Sequence, residues 1–182
     1  MDQGFVFIAL PLMLLIWSAA AWDFHARRIP NVLVLVGAAT GLLLQGIQAG
    51  PGGAQTSLYG LLVGLAILMP GYLMGFTGAG DAKLMAATGT FLGPWGILQA
   101  GLASIAVGGI IGLLFAASAL FNRRSVSPWS RYGLMMKTLV ATGKPLYIPP
   151  TEGEVMGKKF PFAVSIAIGT TVWVIWQWPL AQ

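Results

Sequence analysis

No charged residue occurs between Asn31 and Gly80, and none between Leu84 and Phe121. Apolar runs of that length constrain the fold more than any other feature of the chain. A water-soluble domain carries about 25% charged residues. This one carries 8% and is 57% hydrophobic, too few charges to cover a surface facing water. The bilayer is therefore the expected solvent, and the expected fold class is an all-α integral membrane protein forming one membrane domain over residues 1–182.

Breaks in the apolar runs divide the chain into segments. Gly4 to Trp22 is uncharged and close to the ~20 residues that a helix needs to span a membrane. The first charge is Asp2, and no Lys or Arg precedes the apolar run, so the segment reads as a retained helix rather than a cleaved signal. A polar loop is expected from Asp23 to Asn31, with Pro30 opening the next helix. The cluster Ala49-Gly-Pro-Gly-Gly-Ala-Gln-Thr56 and the run Gly93-Pro-Trp-Gly96 carry strong turn signals. They predict a six-helix bundle with helices near 4–22, 31–48, 57–76, 82–93, 97–121 and 160–178. A loop over 122–159 joins helices five and six. Within it Trp129, Tyr132, Met136, Leu139 and Val140 recur at near-helical spacing beside Arg131 and Lys137, which reads as an amphipathic helix at the membrane surface. Gly37/Gly41, Gly60/Gly64, Gly71/Gly75 and Gly108/Gly112 have the spacing of close helix packing in lipid.

The net charge of +5 is compatible with nucleic-acid or membrane-surface binding, and the placement of the charges separates the two. All ten Lys and Arg fall in or beside the odd-numbered loops of a six-helix layout. Arg27 and Arg28 lie in the first, Lys83 borders the third, and the remainder lie in 122–159. The loops at 49–56 and 93–96 have none. By the positive-inside rule, the odd loops are cytoplasmic and both termini lie outside. The basic excess thus reads as topology and lipid contact, with no nucleic-acid partner. There is no cysteine and only one histidine, His25, which excludes thiolate zinc sites and a histidine metal cluster. No metal or other cofactor is expected.

Five acids remain as candidates for chemistry. Asp2, Glu152 and Glu154 read as solvated charges. Asp23 and Asp81 each fall where a helix meets the cytoplasmic interface, and the layout places both on one side of the membrane. Acids at membrane depth are costly and usually functional. Each has a plainer reading: Asp23 as the water boundary of its helix, paired with Arg27 at i+4, and Asp81 as a helix N-cap. Together, two carboxylates on one face can share a proton, one acting as base on water and the other as acid toward a carbonyl.

The sequence Asp23-x5-Ile29-Pro30-Asn31 followed by Gly78-x-Gly80-Asp81-x-Lys83 resembles the paired motif of the type IV prepilin peptidases, and most closely the short Flp/Tad-type members. The resemblance is strongest over residues 17–90. It implies an intramembrane aspartic endopeptidase of the bacterial inner membrane, with Asp23 and Asp81 as the catalytic dyad. The substrate would be a prepilin-like protein, cut after its basic leader at the cytoplasmic face. Gly78 and Gly80 would then shape the loop through positive φ and admit an extended peptide. Pro30, Asn31 and Lys83 would shape the loop or bind substrate, with headgroup contact the favoured role for Lys83. His25 reads as an interfacial side chain, and Arg27 and Arg28 as topology anchors. Long members of that family carry an N-terminal segment with cysteine pairs and methylate the trimmed product; without cysteine, neither a structural zinc nor methyltransferase activity is expected here. Two other classes compete with the protease. One is a small transporter or ion pathway using Asp23 and Asp81, although neither acid lies mid-helix and no inverted repeat is evident. The other is a non-catalytic scaffold for pilus assembly.

Overall fold

A computed structural model describes residues 3–75, 77–121, 129–143 and 162–177. It is all-helical, with five helices among the described residues: α1 (Gln3–Ala26), α2 (Asn31–Leu73), α3 (Ala79–Phe121), α4 (Trp129–Thr142) and α5 (Phe162–Gln177). Three helical stretches, Val6–Ala26, Asn31–Leu73 and Ala79–Leu114, are long and apolar enough to cross a membrane, and α5 is a shorter apolar helix.

The six separate spanning helices expected from the sequence are therefore not found as such. The expected turns at 49–56 and 93–96 are compressed to one or two residues inside α2 and α3. Ala49 (φ −126°, ψ 16°) and Gly50 (φ 60°, ψ −146°) interrupt α2. Gly93 (φ 68°, ψ 179°) interrupts α3. Both interruptions use the same device. A glycine takes a backbone conformation essentially closed to other residues, and the proline after it, Pro51 or Pro94, starts the next helical arm, where its missing N–H costs nothing.

Side-chain and backbone contacts give the direction of each arm. Asn31 bonds Lys83 and Gln45 bonds the Phe91 carbonyl, so the first arm of α2 runs alongside the start of α3 in the same sense. Gly60 packs on Gly89 and Gly64 on Met85, so the second arm runs in the opposite sense. Hence α2 doubles back at Gly50. Beyond Gly93, which contacts Thr56, α3 reaches Gly101 opposite Ile67, so α3 also reverses. The α5 helix runs antiparallel to this second arm of α3, with Trp173 against Gly96, Gly169 against Ser104 and Phe162 against Gly108. Trp17 and Met13 of α1 meet Thr171 of α5, and Leu15 of α1 lies against Gly37 of α2.

Glycines make several of these approaches possible. A methyl added at Gly60 would collide with the Gly89 carbonyl, and one at Gly89 with the Gly60 carbonyl. The two backbones are in direct contact, the packing mode favoured in lipid. The buried core combines Leu12, Ile16 and Ala19 of α1 with Leu84, Met85 and Phe91 of α3 and Ile166 and Ala167 of α5.

The chain divides into two compact units, residues 1–108 with 161–182, and residues 109–160. The second contains the end of α3 and α4. The α4 helix falls within the expected loop 122–159; Leu134, Met136 and Val140 on it are exposed beside Lys137. Asp2, Glu152, Glu154 and Lys158-Lys159 lie outside the described residues.

Candidate active site

Asp81 is placed by the start of α3. The Gly78 carbonyl accepts from the Ala82 N–H, making Gly78 the N-cap and Asp81 the third helical residue. From there its carboxylate reaches back and accepts a hydrogen bond from the Gly78 N–H at 3.1 Å. This is the returning half of a capping box. Asp81 is therefore not the N-cap that its position after Gly-Ala-Gly suggests, because the helix begins at Ala79 rather than near residue 82. The bond leaves the second carboxylate oxygen free of this restraint and fixes the plane of the group.

Asp23 is placed by the last full turn of α1, which continues to Ala26 rather than ending at Trp22. One turn of helix replaces the expected start of the polar loop. The helix ends at Arg27, whose φ of 51° is left-handed and whose N–H bonds the Asp23 carbonyl at 2.8 Å. That turn carries the Arg27 side chain into solvent, and no ion pair joins it to Asp23 among the described residues. The Asp23 side chain is instead buried, with 8% of the residue exposed.

The two acids come from helices separated by most of the first half of the chain, yet lie near enough to feel each other's charge. Both are buried, with 8% of Asp23 and 9% of Asp81 exposed. The motif segments around them interlock. Gly80 faces the Ile29 side chain, which a methyl added at Gly80 would meet at 3.5 Å, ordinary van der Waals contact. Lys83 Nζ donates to Asn31 Oδ1 at 3.1 Å. This bond joins the two motif segments, with Lys83 itself exposed. Pro30 stands as the N-cap of α2, one position before the expected first helical residue.

Neither Gly78 nor Gly80 has the expected positive φ; in this loop it falls to Gly75, at 76°. What Gly78 provides is room, since an added methyl would sit 3.1 Å from Asp81 Oδ2. His25 is exposed, bonds the Ala21 carbonyl at 2.9 Å and meets Phe24 edge-on. Among the described residues, no group of three His, Asp or Glu could hold a metal ion.

Chemically, the arrangement brings together two carboxyl groups of unequal surroundings. Asp81 is held by its own helix start, and Asp23 is buried in the last turn of α1. Such a pair can hold and activate one water and protonate a carbonyl opposite it. Comparison with curated proteins and with solved structures gives no match. The family model for the type IV leader peptidases matches residues 8–113, a stretch that holds both acids and all the motif residues named above. The chain belongs to the type IV leader peptidase family.

Proposed function

We propose that this protein is an intramembrane aspartic endopeptidase that removes the basic leader of prepilin-like substrates at the cytoplasmic face of the bacterial inner membrane. The observation that carries this reading is the convergence of Asp23 and Asp81, both buried and electrostatically coupled, at the ends of two helices. One carboxylate takes a proton from a water as that water attacks the scissile carbonyl. The other carboxyl protonates the carbonyl oxygen, and the pair exchanges roles as the tetrahedral intermediate breaks. Gly78, Gly80, Pro30, Asn31 and Lys83 shape the strip along which an extended peptide lies.

We further propose that each arm of α2 and α3 crosses the bilayer, giving six crossings with α1 and α5. A straight α-helix of 43 residues would be ~65 Å long, about twice the ~30 Å hydrocarbon thickness. The reversals at Gly50 and Gly93 are what allow such helices to fit. With six crossings, the distribution of Lys and Arg favours a cytoplasmic side for the 27–30 and 74–78 connections, with the termini outside.

The test is cleavage of a prepilin-like substrate by purified protein and by its Asp23→Asn and Asp81→Asn variants. Each variant is expected to lose at least ~10³-fold in kcat while keeping its fold, because neither half of the acid–base pair works alone. Wild-type turnover in either variant removes that acid from the mechanism. Proton- or cation-coupled flux into proteoliposomes, without cleavage, would favour the transporter reading.

A further inference from the structure

We infer that the hydrogen bond from Lys83 to Asn31 is a latch across the two motif segments, and that both are positioning residues that hold Asp23 and Asp81 in register. The inference deepens the protease reading and rests on it.

Three observations support it. First, the bond is direct, from Lys83 Nζ to Asn31 Oδ1 at 3.1 Å, between residues 52 apart in sequence. Second, each partner lies close along the chain to one acid. Asn31 is the first residue of α2, and only residues 27–30 separate it from the end of α1, which carries Asp23. Lys83 follows Asp81 in the first turns of α3. The bond therefore ties the chain leading away from one acid to the helix that carries the other. Third, a packing contact lies beside it: Ile29 faces Gly80 and packs against the buried core. Apolar contact is non-directional, whereas a hydrogen bond sets both distance and angle. Gly41 also packs on Thr90 and Phe91, but ~15 Å further along α2, too far to fix the segment beside the acids.

Neither the core nor the helices explain a lysine at this position. From Asp81 to Phe91 every residue except Lys83 is buried. Its ammonium meets Asn31 in the first turn of α2, where the helix dipole disfavours a cation. What the lysine supplies is a four-carbon stem long enough to carry a donor from one helix to an amide oxygen on the next.

The test uses the full-length protein with Lys83→Met, Asn31→Ala, both together, and the reciprocal swap of Asn31→Lys with Lys83→Asn. Each single variant is expected to lower kcat ~5- to 10-fold with KM within about twofold of wild type. The double variant is expected to lose no more than either single one, because one shared interaction is removed in all three. The swap restores a donor and an acceptor across the same gap, and its kcat is expected to return to within ~3-fold of wild type. Wild-type kcat in Asn31→Ala, or losses that simply multiply in the double variant, would overturn the inference. A second measurement does not depend on turnover. Because the chain contains no cysteine, spin labels can be attached through His25→Cys and Ala79→Cys, at exposed positions close to each acid. The distribution of distances between the labels is expected to broaden in Lys83→Met and in Asn31→Ala and to narrow again in the swap. An unchanged distribution in both single variants also overturns the inference. If wild type cleaves no prepilin-like substrate while the distribution responds as expected, the latch stands and the protease reading falls.

Discussion

Arg27 adopts a conformation that glycine would occupy at lower cost. Its φ of 51° closes the end of α1, and for a residue with a Cβ the left-handed region costs roughly 1–2 kcal/mol. Arg27→Gly is expected to raise stability by up to about 1 kcal/mol, measured by denaturant titration in detergent micelles. No loss of an Asp23 ion pair offsets that gain, because none joins the two residues. At Gly80 an added methyl meets Ile29 at ordinary contact distance, so Gly80→Ala should fold normally. Gly78→Ala places a methyl 3.1 Å from Asp81 Oδ2, and its expected effect is on cleavage more than on stability. Measuring both properties on both variants separates room for the carboxylate from room for the chain.

At the scale of the elements, the two interrupted helices behave as hairpins whose hinges each centre on a glycine, joined in α2 by Ala49. Gly50 and Gly93 have similar backbone angles but different surroundings. Nothing lies within 4 Å of a methyl at Gly50, whereas one at Gly93 would meet Thr56 Cγ2 at 2.8 Å. Gly50→Ala is thus expected to cost only backbone strain, ~1–3 kcal/mol. Gly93→Ala is expected to cost more, in the same unfolding measurement; equal losses would contradict this account of the hinges. The Gln45 side chain reinforces the second hinge, since its Nε2 donates to the Phe91 carbonyl at 2.7 Å. That carbonyl lies beside a glycine–proline break, where regular helical bonding fails. Where α2 meets α3, Gly60→Ala and Gly89→Ala force a methyl against a backbone carbonyl on the opposite helix. Backbone cannot yield as a flexible side chain does, so both are expected to lose folded protein, seen as aggregation on size-exclusion chromatography.

For the whole molecule, the proposed six crossings can be tested directly because the chain contains no cysteine. Single cysteines at Gln55, exposed near the start of the second arm of α2, and at Thr77, before α3, are expected to react with membrane-impermeant thiol reagent from opposite sides of the bilayer. Labelling of both from one side would place the reversal of α2 on the same side as the start of α3, and the proposed topology would fail.

Much of this protein is legible in the order of its residues. The long charge-free runs dictate helices in a bilayer, because no other element except a closed barrel satisfies its backbone there. Glycine–proline pairs mark where those helices turn, since they combine permitted positive φ with a helix start that lacks an N–H. The acids at Asp23 and Asp81 stand out because charge is so scarce around them. Boundaries were less legible: the charge at Asp23 suggested an end to α1, but one more turn of helix could form, and burial of the side chain kept it there. Tertiary structure alone decided how the two motif segments meet. The capping geometry of Asp81 depends on where α3 begins, and the bond from Lys83 to Asn31 on how two distant segments pack. A contact between residues far apart in sequence depends on the directions and registers of whole helices, which residue types do not carry and which are settled only when those helices pack together.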